Sequence, residues 1–355
     1  MTFRYLYTLL ALLTLVVSSS CKRDDDEPIV NRDISRLYIS YSEFERDPQR
    51  PKLKNLYVIT AADSIELGAG AFAQGYQSNV QGGSTILFHP SARTIFQASL
   101  NTTQADTTIY SLRVGDYGAL SPSGNIANAR LNGVRGLVYH PSLDKLYAVR
   151  VSPDSSFVYV FNLPRGIRNY AKTSQNFQIA DNRPVWDAAI VQSKMYLSRT
   201  EKDGGIDIYN NMVIQRDTLV PNVKPDIILT IPGSENIRGM SIDTVNNMLA
   251  VADFTGTGAS SVGRILIFDN FSEMAKSTGN ITPTRIITGA STGLKQPVDV
   301  DLDFRKDSDY LFVADAVSKK VYRFKKTDTG DVKPDKEFVS PGNYTPISLS
   351  LDARQ

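Results

Sequence analysis

From residue 84 onward the chain repeats one pattern of hydrophobic and polar positions. Arg135-Gly136-Leu137-Val138-Tyr139-His140-Pro141 and, after a polar turn, Leu146-Tyr147-Ala148-Val149 are matched by Arg238-Gly239-Met240-Ser241-Ile242-Asp243 and Leu249-Ala250-Val251-Ala252. Further copies begin at Ser84, Trp186 and Pro297, and each copy is followed by a third alternating run, such as Phe157-Val158-Tyr159-Val160-Phe161 or Val321-Tyr322-Arg323-Phe324. Runs rich in β-branched and aromatic residues, bounded by Gly, Asn, Asp and Pro, are strands joined by turns. Measured at the second strand, Ile95, Leu146, Met195, Leu249 and Leu311 lie 51, 49, 54 and 62 residues apart. That is the period of a four-stranded propeller blade carrying loop insertions.

Two fragments remain, one at each end. Ile347-Ser348-Leu349-Ser350-Leu351 has the pattern of a first strand, while Leu37-Tyr38-Ile39-Ser40-Tyr41 and Leu56-Tyr57-Val58-Ile59 have that of later strands. Joined, they make one more blade. The expected fold is therefore all-β, a six-bladed β-propeller over residues 35–355, closed by pairing of its N- and C-terminal strands, which removes the open sheet edge between first and last repeats. A seventh blade would need another copy of the motif, and only residues 269–294 leave room for a divergent one. The Gly- and Ala-rich segment 68–83 lacks the strand, loop and helix setting of a phosphate loop and is expected to connect blades as a flexible loop.

The N-terminus differs from the repeats. Arg4 precedes an apolar run over residues 5–17 that ends in Ser18-Ser19-Ser20-Cys21. The run is too short for a comfortable transmembrane helix and has the form of a signal peptide, residues 1–20. Cys21, the chain's single cysteine, follows the small residues directly and is the expected site of lipidation, although Ser18 stands where such a signal most often has Leu. Residues 21–34 then form a lipidated acidic linker, with Asp24-Asp25-Asp26-Glu27 either a surface-export tag or a plain solvated tether. The expected location is the outer membrane, lipid-anchored, on its periplasmic or its cell-surface face. With its one cysteine committed to lipid, the secreted domain has no internal disulfide and must be held by its core. Composition allows this, at 41% hydrophobic and 21% charged residues, and a net charge of +2 supplies no basic excess for nucleic acid.

Gln296-Pro297-Val298-Asp299 with Leu311-Phe312-Val313-Ala314-Asp315, and Arg238-Gly239-Met240-Ser241-Ile242-Asp243 with Ala250-Val251-Ala252-Asp253, resemble NHL repeats and the related six-bladed propellers of the SMP-30/gluconolactonase type. The resemblance spans most of residues 84–330, and the motifs that carry it are structural. It implies a metal-dependent lactonase or hydrolase, with acidic and amide side chains around a divalent cation such as calcium at one mouth of the channel. In this chain the positions opening the innermost strands are Ile347, Ser84, Arg135, Trp186, Arg238 and Val298. Arg135 and Arg238 fall where the resemblance leads one to expect Asn or Asp, and two guanidinium groups repel a cation. Asp187 and Asp299, one residue further on, are the carboxylates left for a metal.

The rim instead offers Arg135, Trp186 and Arg238 as candidate ligand-binding residues. Guanidinium forks suit carboxylate, sulfate or phosphate groups, and an indole suits a sugar or aromatic face. The alternative is that Trp186 plugs the channel and the arginines pair with Asp187, Asp299 or Asp243. His89 and His140 occupy one repeat position in His-Pro turns and are expected to be structural, which leaves no histidine for a metal or a catalytic triad. Asp299, Asp301 and Asp303 alternate at strand spacing, so one face carries all three; a calcium site or a turn-capping role is open there. The expected function is a non-enzymatic binding or scaffold module, with no catalytic residue and no cofactor, for a protein or glycan partner; the alternative is the metal-dependent SMP-30-like hydrolase.

Overall fold

The computed structural model describes residues 34–64, 67, 73–100, 106–152 and 155–354. The signal peptide, Cys21 and the linker up to residue 33 lie outside them. Residues 34–354 form one compact unit of six sheets, each built on four antiparallel strands and arranged as the blades of a propeller. Blade 1 contains Pro346–Arg354 innermost, then Ile34–Tyr41, Leu56–Ile59 and Ala73–Tyr76. The innermost strands of blades 2 to 6 are Gly83–His89, Val134–His140, Val185–Val191, Met240–Asp243 and Pro297–Leu302.

Closure of the ring joins the chain's two ends. Ile34–Tyr41 pairs antiparallel with Pro346–Arg354 from Ile34 opposite Arg354 to Tyr41 opposite Pro346. Hydrophobic burial then completes the circle. Leu37, Ile39 and Tyr41 pack on Phe312, Ala314 and Val321 of blade 6, while Tyr38, Leu56 and Val58 pack on Ile86, Phe88 and Ile95 of blade 2. Alternation along the strands explains this, since odd and even residues of a strand face the two neighbouring blades. Similar clusters fill the other junctions, such as Phe96, Ile109 and Ile126 against Leu137, Tyr139 and Leu146 between blades 2 and 3. The apolar core therefore lies between blades, and each blade depends on both neighbours.

The outer edges of blades 2, 3 and 4 are covered by the chain itself. Segments leaving blades 3, 4 and 5 reach back and add a parallel strand to the blade before: Arg168–Tyr170 to Leu120–Ala127, Leu219–Val223 to Gln175–Ile179, and Gly279–Asn280 to Ile227–Thr230. Such cover removes edges that would otherwise template pairing with another chain.

One expectation needs correction, and one open alternative closes. Within the segment read as a loop, Ala73–Tyr76 is the outer strand of blade 1, paired with Leu56–Ile59. Its apolar signal is weak because an outer strand faces solvent, and Gly75 lies so close to the Tyr57 ring that a Cβ there would sit 2.7 Å from its Cζ. The segment 269–294 holds no divergent blade; it contains a short helix, Phe271–Met274, and the outer strand Arg285–Thr288 of blade 5.

At the centre, glycine sets how closely blades approach. A Cβ on Gly136 would stand 2.8 Å from the Asp187 Cα and 3.0 Å from the Trp186 carbonyl of blade 4, and one on Gly239 would run into Asp299 of blade 6. Gly136→Ala should therefore cost about 1–3 kcal/mol through forced overpacking, measured as a lower urea midpoint. Gly166→Ala, where no heavy atom lies within 4 Å of the added methyl, should change stability by less than about 0.5 kcal/mol.

Candidate functional site

The innermost strands run in the same sense, so their first residues meet at one mouth of the channel and their last at the other. Ser84, Arg135, Trp186, Arg238, Val298 and Ile347 all line one cavity of about 320 Å³ at this first mouth. The turns that feed these strands are held by the repeat's aspartates. Asp253 accepts from the backbone N–H of Glu235 (3.2 Å) and Asn236 (2.7 Å), and Asp315 accepts likewise from Lys295 (2.7 Å) and Gln296 (2.8 Å). This gives the Ala-Asp ending of the second strand its physical role. It fixes the backbone that presents Arg238 and Val298.

Trp186 is half-buried, with both arginines close to it. The guanidinium carbon of Arg238 lies 4.0 Å from the indole centroid and that of Arg135 lies 5.2 Å away, inside the range where a cation is attracted by an aromatic quadrupole. Arg238 also approaches the Phe254 ring at 5.3 Å, and its Nη1 donates to Thr200 Oγ1 (2.5 Å) and to the Ile237 carbonyl (3.2 Å). Arg135 donates to Ser84 Oγ at 3.4 Å. Among the described residues no carboxylate oxygen lies within 4.0 Å of either guanidinium. Burial lowers the pKa of Arg135, and burial together with the charge of Arg135 lowers that of Arg238 to about 10, with Asp253 opposing. Both remain cationic near neutral pH.

The carboxylates considered as partners for these arginines are engaged elsewhere. Asp187 accepts from its neighbour Ala188 N–H (2.8 Å) and from Met240 N–H in blade 5 (3.0 Å). Asp299 accepts from Val300 N–H (2.9 Å), and from Ser348 Oγ (2.7 Å) and Leu349 N–H (2.8 Å) in blade 1. Asp243 takes Val245 and Asn246 N–H and pairs with Lys326 at 3.4 Å. The indole is likewise less free than an exposed platform, because guanidinium groups already lie against it.

Beneath the first cavity is a second of about 410 Å³, which opens at the other mouth between His89, Tyr139, Ile242, Phe304 and Arg354. The two share Thr85, Asp187, Asp299 and Ser348 as walls. Asp301 lines the lower cavity, accepting from Ser241 Oγ (3.0 Å) and from Leu351 N–H (2.7 Å). Asp303 does not share that face. The strand ends at Leu302, and Asp303 turns to pair with Arg305. Among the described residues no three His, Cys, Asp or Glu side chains form a group that could hold a metal ion. His89 lies 4.9 Å from the Tyr139 ring, and burial, with the charge of His140 behind it, lowers its pKa to about 4. His140 Nδ1 accepts from Leu143 N–H at 3.3 Å within its turn.

Depth in the ring raises the channel acids. Desolvation comes first for each, and for Asp187 the charge of Asp299 adds to it, so that its pKa stands well above the usual carboxylate range. Asp299 is raised by desolvation against three opposing hydrogen bonds, and Asp301 reaches about 7. Thr200, Phe254, Gly136 and Gly239 were not singled out from the sequence. Phe254 follows directly on the Ala-Asp signature, which was the available signal; Thr200 carried none.

No protein-family model matches the chain, and no curated protein does. Solved structures do. A candidate 6-phosphogluconolactonase from Bacteroides uniformis matches at 11% identity over 90% of this chain and 100% of its own, with a TM-score of 0.54. A second, from Bacteroides fragilis, matches at 9% identity over 92% and 100%, also with a TM-score of 0.54. Hydrazine synthase of Kuenenia stuttgartiensis matches at 9% identity over 83% and 82%, with a TM-score of 0.50. The class these likenesses define, with the sheets and channel described above, is the β-propeller, here with six blades. Identities this low carry the fold and no activity.

The raised acids make stability depend on pH. Asp301 titrates near 3.9 in an unfolded chain and about 7 in the fold, so its folded form holds the proton more tightly. Its contribution is complete below the unfolded value and is lost as pH rises through about 7. The gap in stability between wild type and Asp301→Asn should therefore shift in favour of the variant as pH goes from 5 to 8, measured by urea unfolding at each pH.

Proposed function

We propose that this chain is a lipid-anchored envelope protein of the NHL-repeat and SMP-30-like propeller lineage, acting as a binding module without enzymatic activity. Its first mouth takes an anionic group presented by a glycan or protein partner. The observation that carries this reading is the pair Arg135 and Arg238, set against one indole in a cavity of about 320 Å³ with no carboxylate within 4.0 Å among the described residues. Buried cations are ordinarily paired. Two half-buried ones left without acidic partners among the described residues, but positioned by an indole, a threonine and a phenylalanine, form a preorganised receptor for an anion from outside. The cavity volume falls within the usual range for small-ligand pockets.

The same geometry weighs against the hydrolase. A divalent ion at Asp187 and Asp299 would have to displace the backbone N–H groups those oxygens accept from, beside two fixed positive charges. The membrane anchor rests on Cys21 and the apolar run before it, and an outer-membrane location follows from that anchor.

Trp186 is the chain's only tryptophan, so its fluorescence reports on the mouth directly. Titration of galacturonate, acetate and inorganic phosphate should change that emission saturably for at least one anion. Replacing either arginine by alanine should weaken binding by about 1.5–3 kcal/mol, the worth of a charged hydrogen bond, and the double variant should abolish it. Unchanged binding in the double variant removes the mouth from consideration. Micromolar calcium or magnesium binding by calorimetry, lost in Asp187→Ala, would restore the metal-dependent reading instead.

A further inference from the structure

The lower cavity differs in kind from the arginine mouth. Five blades line it with half-buried aliphatic side chains: Leu87 from blade 2, Val138 from blade 3, Ile190 from blade 4, Ile242 from blade 5 and Leu351 from blade 1. Blade 6 instead supplies Asp301. The turns that follow the innermost strands leave Leu143, Val245 and Phe304 exposed, so the surface around the second mouth is apolar as well. A concave chamber of about 410 Å³, apolar except for a few convergent polar groups, has the size and make-up of a small-molecule site.

The polar groups in this chamber are acids. Asp187 and Asp299 stand where it meets the first cavity, and Asp301 lines the chamber alone. Asp301 accepts from Ser241 and Leu351, two hydrogen bonds where an ionised carboxyl has about four acceptor sites. The lining cation Arg354 is already held by Asp352 through bonds of 2.6 and 2.8 Å, and burial keeps His89 neutral near pH 7. Desolvation raises all three acids, and what opposes it is hydrogen bonding, with no positive group among the causes. A cation carried on an apolar body would supply the missing charge and cover the aliphatic walls in one step. We infer that the lower cavity binds a primary alkylammonium or arylalkylammonium, with its charged head against Asp301 and its hydrocarbon against Leu87, Val138, Ile190, Ile242 and Leu351. This site goes beyond the anion-binding mouth and does not rest on it, since it uses the other cavity and ligands of the opposite charge.

Calorimetric titration of the purified chain with butylammonium, hexylammonium and octylammonium, each below its micelle-forming concentration, tests this. Binding should be saturable and should tighten about fourfold for each added methylene, the worth of one buried CH₂. Hexanol, with the same body and no charge, should bind at least about tenfold more weakly than hexylammonium. Asp301→Asn should weaken hexylammonium by at least about tenfold, as loss of a charged hydrogen bond does, while hexanol stays within about twofold. Ala189→Leu, which narrows the chamber without removing an acid, should weaken both. Absence of saturable binding, hexanol binding as tight as hexylammonium, or hexylammonium affinity unchanged in both variants overturns the inference. Circular dichroism and urea midpoints check that each variant is folded; should Asp301→Asn fail that check, the comparison with hexanol and the Ala189→Leu variant still decide. Anion titrations followed by Trp186 emission are scored separately, so failure of the arginine mouth and failure of the lower cavity are told apart.

Discussion

A strand that lines the axis of a propeller has a neighbour on one side only. Its inward N–H groups face a narrow channel, and an unpaired buried N–H costs as much as a lost hydrogen bond. This chain meets the constraint with side chains from the adjoining blade. Asp187 accepts from Met240 N–H, Asp299 from Leu349 N–H and Asp301 from Leu351 N–H, while the hydroxyls of Ser348 and Ser350 accept from Ile86 and Phe88 N–H. Each bond crosses from one blade to another. Together with the apolar clusters between blades, they set the spacing and register of the ring, and Gly136 and Gly239 leave the room that this closeness demands.

The charge at the first mouth follows from this use of carboxylates. Oxygens of Asp187 and Asp299 that are engaged with backbone N–H groups are not directed at Arg135 or Arg238, and burial favours their protonated forms. The arginines lean on Trp186 and Phe254, whose rings offer attraction without neutralisation. A site built this way keeps two cations near neutral pH inside a cavity. An ion-paired rim would present no such field.

Blade number, the closing strand and the six rim positions were legible because strand alternation and turn chemistry are local, and because the motif recurs at a near-constant period. The cluster at Ser84, Arg135, Trp186, Arg238, Val298 and Ile347 could be read from aligned repeats alone. What could not be read depends on contacts between distant residues. Ala73–Tyr76 is a solvent-facing outer strand with no apolar alternation to mark it. Asp303 leaves the face of Asp299 and Asp301 because the strand stops one residue earlier. Whether an aspartate meets an arginine or a backbone N–H is set by the offset between neighbouring blades, which a repeat alignment does not carry. Thr200, which holds Arg238, sits just beyond a strand end with no pattern around it.

The central claim is that the channel carboxyls join blades and do not neutralise the mouth arginines. It is tested most directly by carbon-13 NMR of the Asp187 carboxyl through a pH titration, in wild type and in Arg135→Ala, Arg238→Ala protein. The account expects Asp187 to titrate well above the ordinary carboxylate range in wild type, and to stay there or move further up when the arginines are removed. Titration at or below about 3.9, the unperturbed value, with a clear rise on losing the arginines, would mean that Asp187 is their ion-pair partner and would contradict it.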